Sequence, residues 1–267
     1  MSDRERRFRV DSIVPDGAGL LDPGAAVHRH LRVLRAAAGD TVLLFDGRGA
    51  EARAEIATID EHRVCLRAVQ PVERAVEAPL ELCLVQALPA RAVRMETIVR
   101  QVTELGVQRI VPVLAQRSQA KAGGAAQRRR AERWRRIADA AAEQCGRTRV
   151  PRIEDPCALA QLHWGSLPRP LLIADPGAVP GTSAIEAPGG GAPDGTAKHP
   201  PGWSAATAPP AATVMVGPEG GWAAEEVDAA RVHGAAPLGL GPRVLRTDSA
   251  GVVAVTLLQA RWGDLQS

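Results

Sequence analysis

A chain of 267 residues has room for one large domain or two modest ones, and 45% hydrophobic with 24% charged residues is the make-up of an ordinary globular protein. No apolar run reaches membrane-spanning length, and the charged start MSDRERRFRV lacks the apolar centre of a signal peptide, so a cytoplasmic protein independent of membranes is expected. Net charge is a mild +3, and Cys65, Cys83, Cys145 and Cys157 lie far apart with no CxxC spacing, which argues against a metal centre or a disulfide framework.

In chain order, RFRVDS alternates like a strand, and AAVHRHLRVLRAAAG has helical spacing that should stop at Gly39. His28 and His30 stand two apart, which on a helix turns them to different sides and away from a shared metal. GDTVLLFDGRGAEARAEIATI reads as two strands joined by the Asp46-Gly47-Arg48-Gly49 turn, and HRVCLRAV as a third. Residues 1–75 thus form a small β-rich domain, closed by PVERAVEAPL with its two prolines.

From residue 80 to the end the pattern becomes strand–helix alternation: LELCLVQAL, RMETIVRQVTELG, RIVPVLA, RRRAERWRRIADAAAEQCG, PLLIADP, VMVGPEGG, EEVDAARVHG and RTDSAGVVAVTLLQARW. This predicts an α/β domain built on a mostly parallel sheet, whose ligands bind at loops beyond the carboxyl ends of strands. Residues 176–212 interrupt it with Pro, Gly, Ala, Ser and Thr; the stretch reads as a disordered surface insertion, most of which, about 178–208, the fold can lose.

Three segments can carry chemistry. VGPEGGW places three glycines and a proline around Glu219 at a strand-to-helix junction, either as a tight structural turn or as backbone bared for a ligand. It is neither a dinucleotide GxGxxG fingerprint nor a Walker A loop. Leu238 to Asp248, LGLGPRVLRTD, is a second Gly/Pro turn ending in Arg246, Thr247 and Asp248, and Thr247 or Asp248 is placed to cap the last helix. In RRRAERWRRIADAAAEQCGRTR, Ala131, Trp134, Ile137, Ala138, Ala141 and Cys145 make an apolar face. Arg128, Arg129, Arg133, Arg135 and Arg136 crowd the remainder, as a solvated face or a polyanion contact, with Arg147 and Arg149 in the loop beyond.

ERWRRIADAAAEQCGRTRVP, VGPEGGWAAEEV and LGPRVLRTDSAG, together with METIVRQVTELGVQRIVPVLAQRS and HRHLRVLRAAAGD…FDGRG, resemble in this order the ribosomal small subunit methyltransferase E family, 16S rRNA uracil-N3 methyltransferases of the SPOUT superfamily. The resemblance covers nearly the whole chain except residues 176–212. It implies a PUA-like β-barrel that helps hold RNA, a C-terminal domain with a trefoil knot, S-adenosylmethionine as methyl donor, and a homodimer acting on the small ribosomal subunit. The cofactor residues it implies are Ile173, Val216, Gly217, Pro218, Glu219, Gly220, Gly221, Leu238, Leu240, Gly241, Val244, Leu245 and Thr247, the glycines serving close approach to the bent cofactor. Arg32, Arg35, Arg128, Arg129, Arg133, Arg136 and Arg149 are the expected RNA contacts, and no metal is implied.

The chain departs from the family pattern at Gln101, where lysine is usual, and at Thr247-Asp248-Ser249, where Thr-Glu-Thr is usual. Methylating N3 requires that its proton be removed or its anion stabilised, so Glu219, Asp248, Arg147 and Arg246 are the catalytic candidates. A SPOUT enzyme acting on a ribose 2′-hydroxyl and a non-catalytic ribosome assembly factor are the rival readings.

Overall fold

The computed structural model describes residues 6–14, 19–119, 125–175 and 208–265. The chain divides into two units, Met1–Glu77 with Asp139–Val150, and Ala78–Ala138 with Pro151–Ser267. The sequence suggested a single boundary near residues 75–80; the structure returns residues 139–150 to the first unit. The bonds responsible are local to that unit. The Arg7 guanidinium donates to the carbonyls of Ala142 and Arg147 at 2.9 and 2.6 Å, and the Glu77 carboxylate accepts the amides of Thr148 and Arg149 at 2.8 and 2.9 Å.

The first unit runs β1 (Arg7–Arg9), α1 (Ala25–Val33), β2 (Thr41–Phe45), β3 (Glu51–Ile59) and β4 (Val64–Pro71), its strands forming one sheet in the order β1-β2-β3-β4. β1 pairs with β2 in parallel, and β2–β3–β4 is an antiparallel meander with register shifts in β3–β4. The predicted turn between β2 and β3 is held by Asp46, whose Oδ1 accepts the amides of Arg48 and Ala50 at 2.7 and 3.1 Å. Phe8, Leu31, Val42, Leu44, Ile56 and Leu66 are buried together, which joins α1 to the sheet. The first helix ends at Val33 rather than Gly39, because Arg35 takes a left-handed φ of 53° and its amide closes back on the Arg32 carbonyl.

The second unit begins with β5 (Glu81–Ala87), α2 (Ala92–Glu104) and β6 (Arg109–Leu114), followed by α3 (Ala125–Cys145), whose last turns fall in the first unit. It continues with β7 (Arg152–Ile153), β8 (Cys157–Ala158), β9 (Leu171–Ala174), β10 (Ala211–Val216), α4 (Ala224–Val232), β11 (Ala235–Leu238) and α5 (Thr247–Trp262). The strands order as β11-β9-β10-β5-β6-β7, with β8 also on β6, and every pairing is parallel. This is the α/β class the alternation predicted. β5 is buried on both faces from Leu82 onward, as strands of a parallel sheet covered by helices must be. Burial pushes the Cys83 thiol up to about 12, which leaves it an inert core residue.

The expected insertion at 176–212 falls largely outside the described residues, but Ala211 and Ala212 already belong to β10. The topology also overturns the expectation that about 178–208 is dispensable. β9 and β10 are parallel neighbours, so the chain between them must return from one end of the sheet to the other. Among the described residues no helix is long and apolar enough to cross a membrane, and no group of three or more His, Cys, Asp and Glu is placed to hold a metal ion.

Candidate active site

β9, β10 and β11 are neighbours, and their carboxyl ends open into one cleft of about 410 Å³. One wall is Val216 to Trp222, the turn that leaves β10; the other is Leu240 to Thr247, which leads from β11 into α5, and Ala174 and Asp175 form the end of β9. A ligand cleft at strand ends is where an open parallel sheet offers free backbone and helix N-termini.

The glycines of the first wall have separate causes. A Cβ on Gly217 would lie 3.2 Å from the Trp222 indole nitrogen, and one on Gly220 would lie 3.1 Å from the Arg117 Cβ. At these two positions glycine makes room for the protein's own side chains, and both residues also line the cleft. Gly221 and Gly241 are different. Both have left-handed φ, 69° and 99°, and at both the space a Cβ would take is open. Glycine there is favoured by the left-handed backbone, and no neighbouring side chain fills the space beside it. The Trp222 indole nitrogen is buried with no hydrogen-bond partner, an unspent donor at the cleft's edge.

The polar groups are mostly committed to holding the walls. Thr247 is the first residue of α5, and its hydroxyl donates to the Gly217 carbonyl at 2.6 Å, so the second wall is fastened to the first. The Glu219 carboxylate accepts the Ala90 amide at 3.2 Å and the Arg94 guanidinium, tying the first wall to the start of α2. Burial works to raise the Glu219 carboxyl, but its own and the Ala90 amide hydrogen bonds, together with Arg94, outweigh it and hold it below the usual range. Arg117 donates to the Gly220 carbonyl at 3.1 Å. Arg246 grips Asp248 through Nε and Nη2 at 3.2 and 3.0 Å. The N-cap of α5 is therefore Arg246, and neither Thr247 nor Asp248 caps it, contrary to expectation, because both side chains bond elsewhere.

Of the sequence-predicted cofactor residues, the run Val216–Gly221, Leu240, Gly241, Val244, Leu245 and Thr247 lines the cleft. Ile173 and Leu238 are buried, at 2% and 5% exposure, and do not line it. Trp222, Ala174, Asp175, Arg243 and Ala250 line it as well. Asp175 was legible as the residue after the apolar strand LLIA; Ala250, inside a helix, carried no signal. Among the catalytic candidates, Arg246 lines the cleft with Glu219, and Asp248 is held against Arg246. Arg147 belongs to the first unit, is 4% exposed, and donates to Glu77 at 2.7 Å. Arg32, Arg35 and Arg149 are exposed on the first unit, and Arg128, Arg129, Arg133 and Arg136 on the second. Arg133 is bound to Glu96 at 2.7 Å.

A parallel α/β unit with a glycine-framed cleft at its strand ends, in a chain that also holds a small β unit, defines the class: an RNA methyltransferase domain family model matches residues 76–259, and an RNA methyltransferase PUA domain model matches residues 26–69. Ribosomal RNA small subunit methyltransferase E of Mycobacterium bovis is 30% identical over 96% of this chain and 92% of its own. The chain belongs to the ribosomal RNA small subunit methyltransferase E family. Two solved structures superpose closely. A Legionella pneumophila methyltransferase in complex with its cofactor SAM matches with TM-score 0.80 at 32% identity, covering 98% of this chain and all (100%) of that one. Ribosomal RNA small subunit methyltransferase E of Neisseria gonorrhoeae bound to S-adenosyl methionine matches with TM-score 0.80 at 28% identity, over 98% and 100%.

Proposed function

We propose that this protein methylates N3 of a uridine in 16S rRNA on the assembled small ribosomal subunit, in the cytoplasm, with S-adenosylmethionine as methyl donor. The observation that carries the reading is the cleft between Gly217–Trp222 and Leu240–Thr247, at the strand ends of a family whose solved relatives hold that cofactor. The residues present fit it. Open space at Gly221 and Gly241, apolar walls from Leu240, Val244 and Leu245, and a volume of about 410 Å³ suit a ligand of that size.

When bound, S-adenosylmethionine supplies a methyl group already activated by its sulfonium, so the chain's own work is to position the base and manage one proton. Arg246, at the cleft, offsets the negative charge that spreads onto the uracil oxygens as N3 is deprotonated, and Asp248 orients Arg246 and stands ready to accept the proton. Glu219 stays an anion bound to Arg94 and Ala90, a poor proton acceptor that shapes the wall. Arg147, buried against Glu77, shapes the turn that presents Arg149. RNA is met by the exposed arginines of α3 and of the PUA-like unit.

A homodimer and a trefoil-knotted second unit complete the reading. Val93 and Val244, 62% and 83% exposed, are apolar surface that a second copy would cover. The test is mass-spectrometric mapping of small subunits treated with the purified protein and labelled methyl donor. A methyl on uridine N3 is expected. A methyl on a ribose 2′-hydroxyl would move the reaction to another RNA site, and cofactor binding without transfer would leave an assembly factor.

A further inference from the structure

We propose that Gln86 is a positioning residue for this cleft: its side-chain amide fixes the Thr247 hydroxyl and, through it, the Gly217 carbonyl, and so sets the spacing of the two walls. The inference rests on the reading that the cleft takes S-adenosylmethionine. Gln86 is the penultimate residue of β5, fully buried at 0% exposure. Its Nε2 lies 3.0 Å from Thr247 Oγ1 and 3.0 Å from the Ala87 carbonyl, while Thr247 Oγ1 lies 2.6 Å from the Gly217 carbonyl.

The chemistry of the partners leaves one assignment. Gly217 O can only accept, so the Thr247 hydroxyl spends its proton there and can only accept from Gln86. Ala87 O also can only accept, which requires the amide nitrogen, and not the oxygen, on that side. The hydrogen bonds therefore run in one direction, from the end of β5 through the start of α5 to the end of β10. They join the end of the second wall, Thr247, to the start of the first, Gly217.

Two further features separate this from a satisfied core glutamine. Oε1 of Gln86 is buried with no hydrogen-bond partner, so the side chain is only half satisfied, and an apolar residue of similar size would pack without that cost. α5 also makes room for it. A Cβ on Gly251 would lie 2.8 Å from Gln86 Oε1, and a glycine in mid-helix weakens the helix. Gln259 carries the same concessions, with Gly106 and Gly263 against its side chain, so what singles Gln86 out is its bond to Thr247.

Gln259 supplies the control. It too is buried with an unpartnered Oε1, but its Nε2 donates to the Leu105 carbonyl at the end of α2, and it does not line the cleft. Affinity of the full chain for S-adenosylmethionine is measured by calorimetry, alongside thermal unfolding of the free protein. Gln86→Met and Thr247→Val should each raise Kd about tenfold, the double variant should be no weaker than the weaker single, and Thr247→Ser should bind like wild type. Gln259→Met should lower Tm and leave Kd unchanged, since its hydrogen bond is made elsewhere. A Gln86→Met protein of lowered Tm whose Kd stays within about twofold of wild type, or two single effects that multiply in the double variant, overturns the proposal. If Gln86→Met does not fold, the Thr247 pair decides: Val binding as well as Ser overturns it. Wild-type protein that fails to bind S-adenosylmethionine sinks the reading of the cleft itself and the proposal with it.

Discussion

Glu219 stands in the middle of the glycine turn, yet its carboxylate is occupied by Ala90 and Arg94, 129 and 125 residues away in the chain. A carboxylate held below its usual range contributes its tie at any pH above the unfolded value, and loses it only as pH falls through the lowered one. Cofactor affinity should therefore be flat from neutral pH down to about pH 5 on account of this group, and decline only in stronger acid. Glu219→Gln should weaken binding about fivefold, roughly 1 kcal/mol, a modest loss because the pair is partly exposed to solvent. Calorimetry across pH checks both; a loss centred near pH 6 would mean that another group controls the wall. Asp248 tests the chemistry. Since it does not cap α5, Asp248→Asn removes only its grip on Arg246 and its capacity as a base. Single-turnover transfer to small subunits should slow about tenfold or more at unchanged cofactor affinity. A rate within about threefold of wild type, roughly 0.7 kcal/mol, would leave Asp248 without a part in the reaction.

At the scale of elements, α3 carries an apolar face of Ala131, Trp134, Ala138, Ala141 and Ala142 in the interior and a row of arginines outside. The arginines are not equivalent. Arg133 is bound to Glu96, whose hydrogen bond raises its pKa, and so brings less net charge to a phosphate than Arg129. Replacing Arg128, Arg129 and Arg136 by Gln should lower the salt slope of RNA binding by roughly one unit for each phosphate no longer neutralised, while Arg133→Gln alone should change it less than Arg129→Gln. A wild-type slope in the triple variant would make this a solvated face. The long elements were legible because apolar periodicity and uninterrupted apolar runs are local properties. β7 and β8, two residues each, carry no period, and β11 reads AAPL, where Pro237 argues against a strand until its place at the sheet edge is known. In the site, the glycine turns were legible and their partners were not. Arg94 in α2, Gln86 in β5 and Arg117 in the turn after β6 reach the cleft walls from more than a hundred residues away, so nothing in their neighbours marks them. The same limit hid why Gly217 and Gly220 are glycines, since Trp222 and Arg117 meet them only in the fold.

At the scale of the molecule, the parallel sheet fixes what the connection between β9 and β10 must do. The register Leu171↔Thr213 places Asp175 level with Gly217, six residues above the first residue of β10, Ala211, or about 20 Å along the strand. Removing residues 178–208 leaves only 176, 177, 209 and 210, a span of about 18 Å at full stretch from Asp175 to Ala211. That is too short even for a straight path. A parallel crossover takes a dozen or more residues. Removing residues 180–197 instead leaves 176–179 and 198–210, which meets that requirement. For a connection that acts through its length alone, halving it changes closure entropy by only about 0.6 kcal/mol. The shorter deletion should therefore unfold cooperatively with a Tm within a few degrees of wild type, about 2–4 °C per kcal/mol for a chain of this size, and bind S-adenosylmethionine normally. The longer one should yield no cooperatively folded protein. Urea and thermal unfolding of the two purified variants decide the matter. A fully folded protein lacking 178–208 would contradict the parallel pairing of β9 with β10, and a protein lacking 180–197 that folds but no longer binds the cofactor would give those residues a part in the cleft itself.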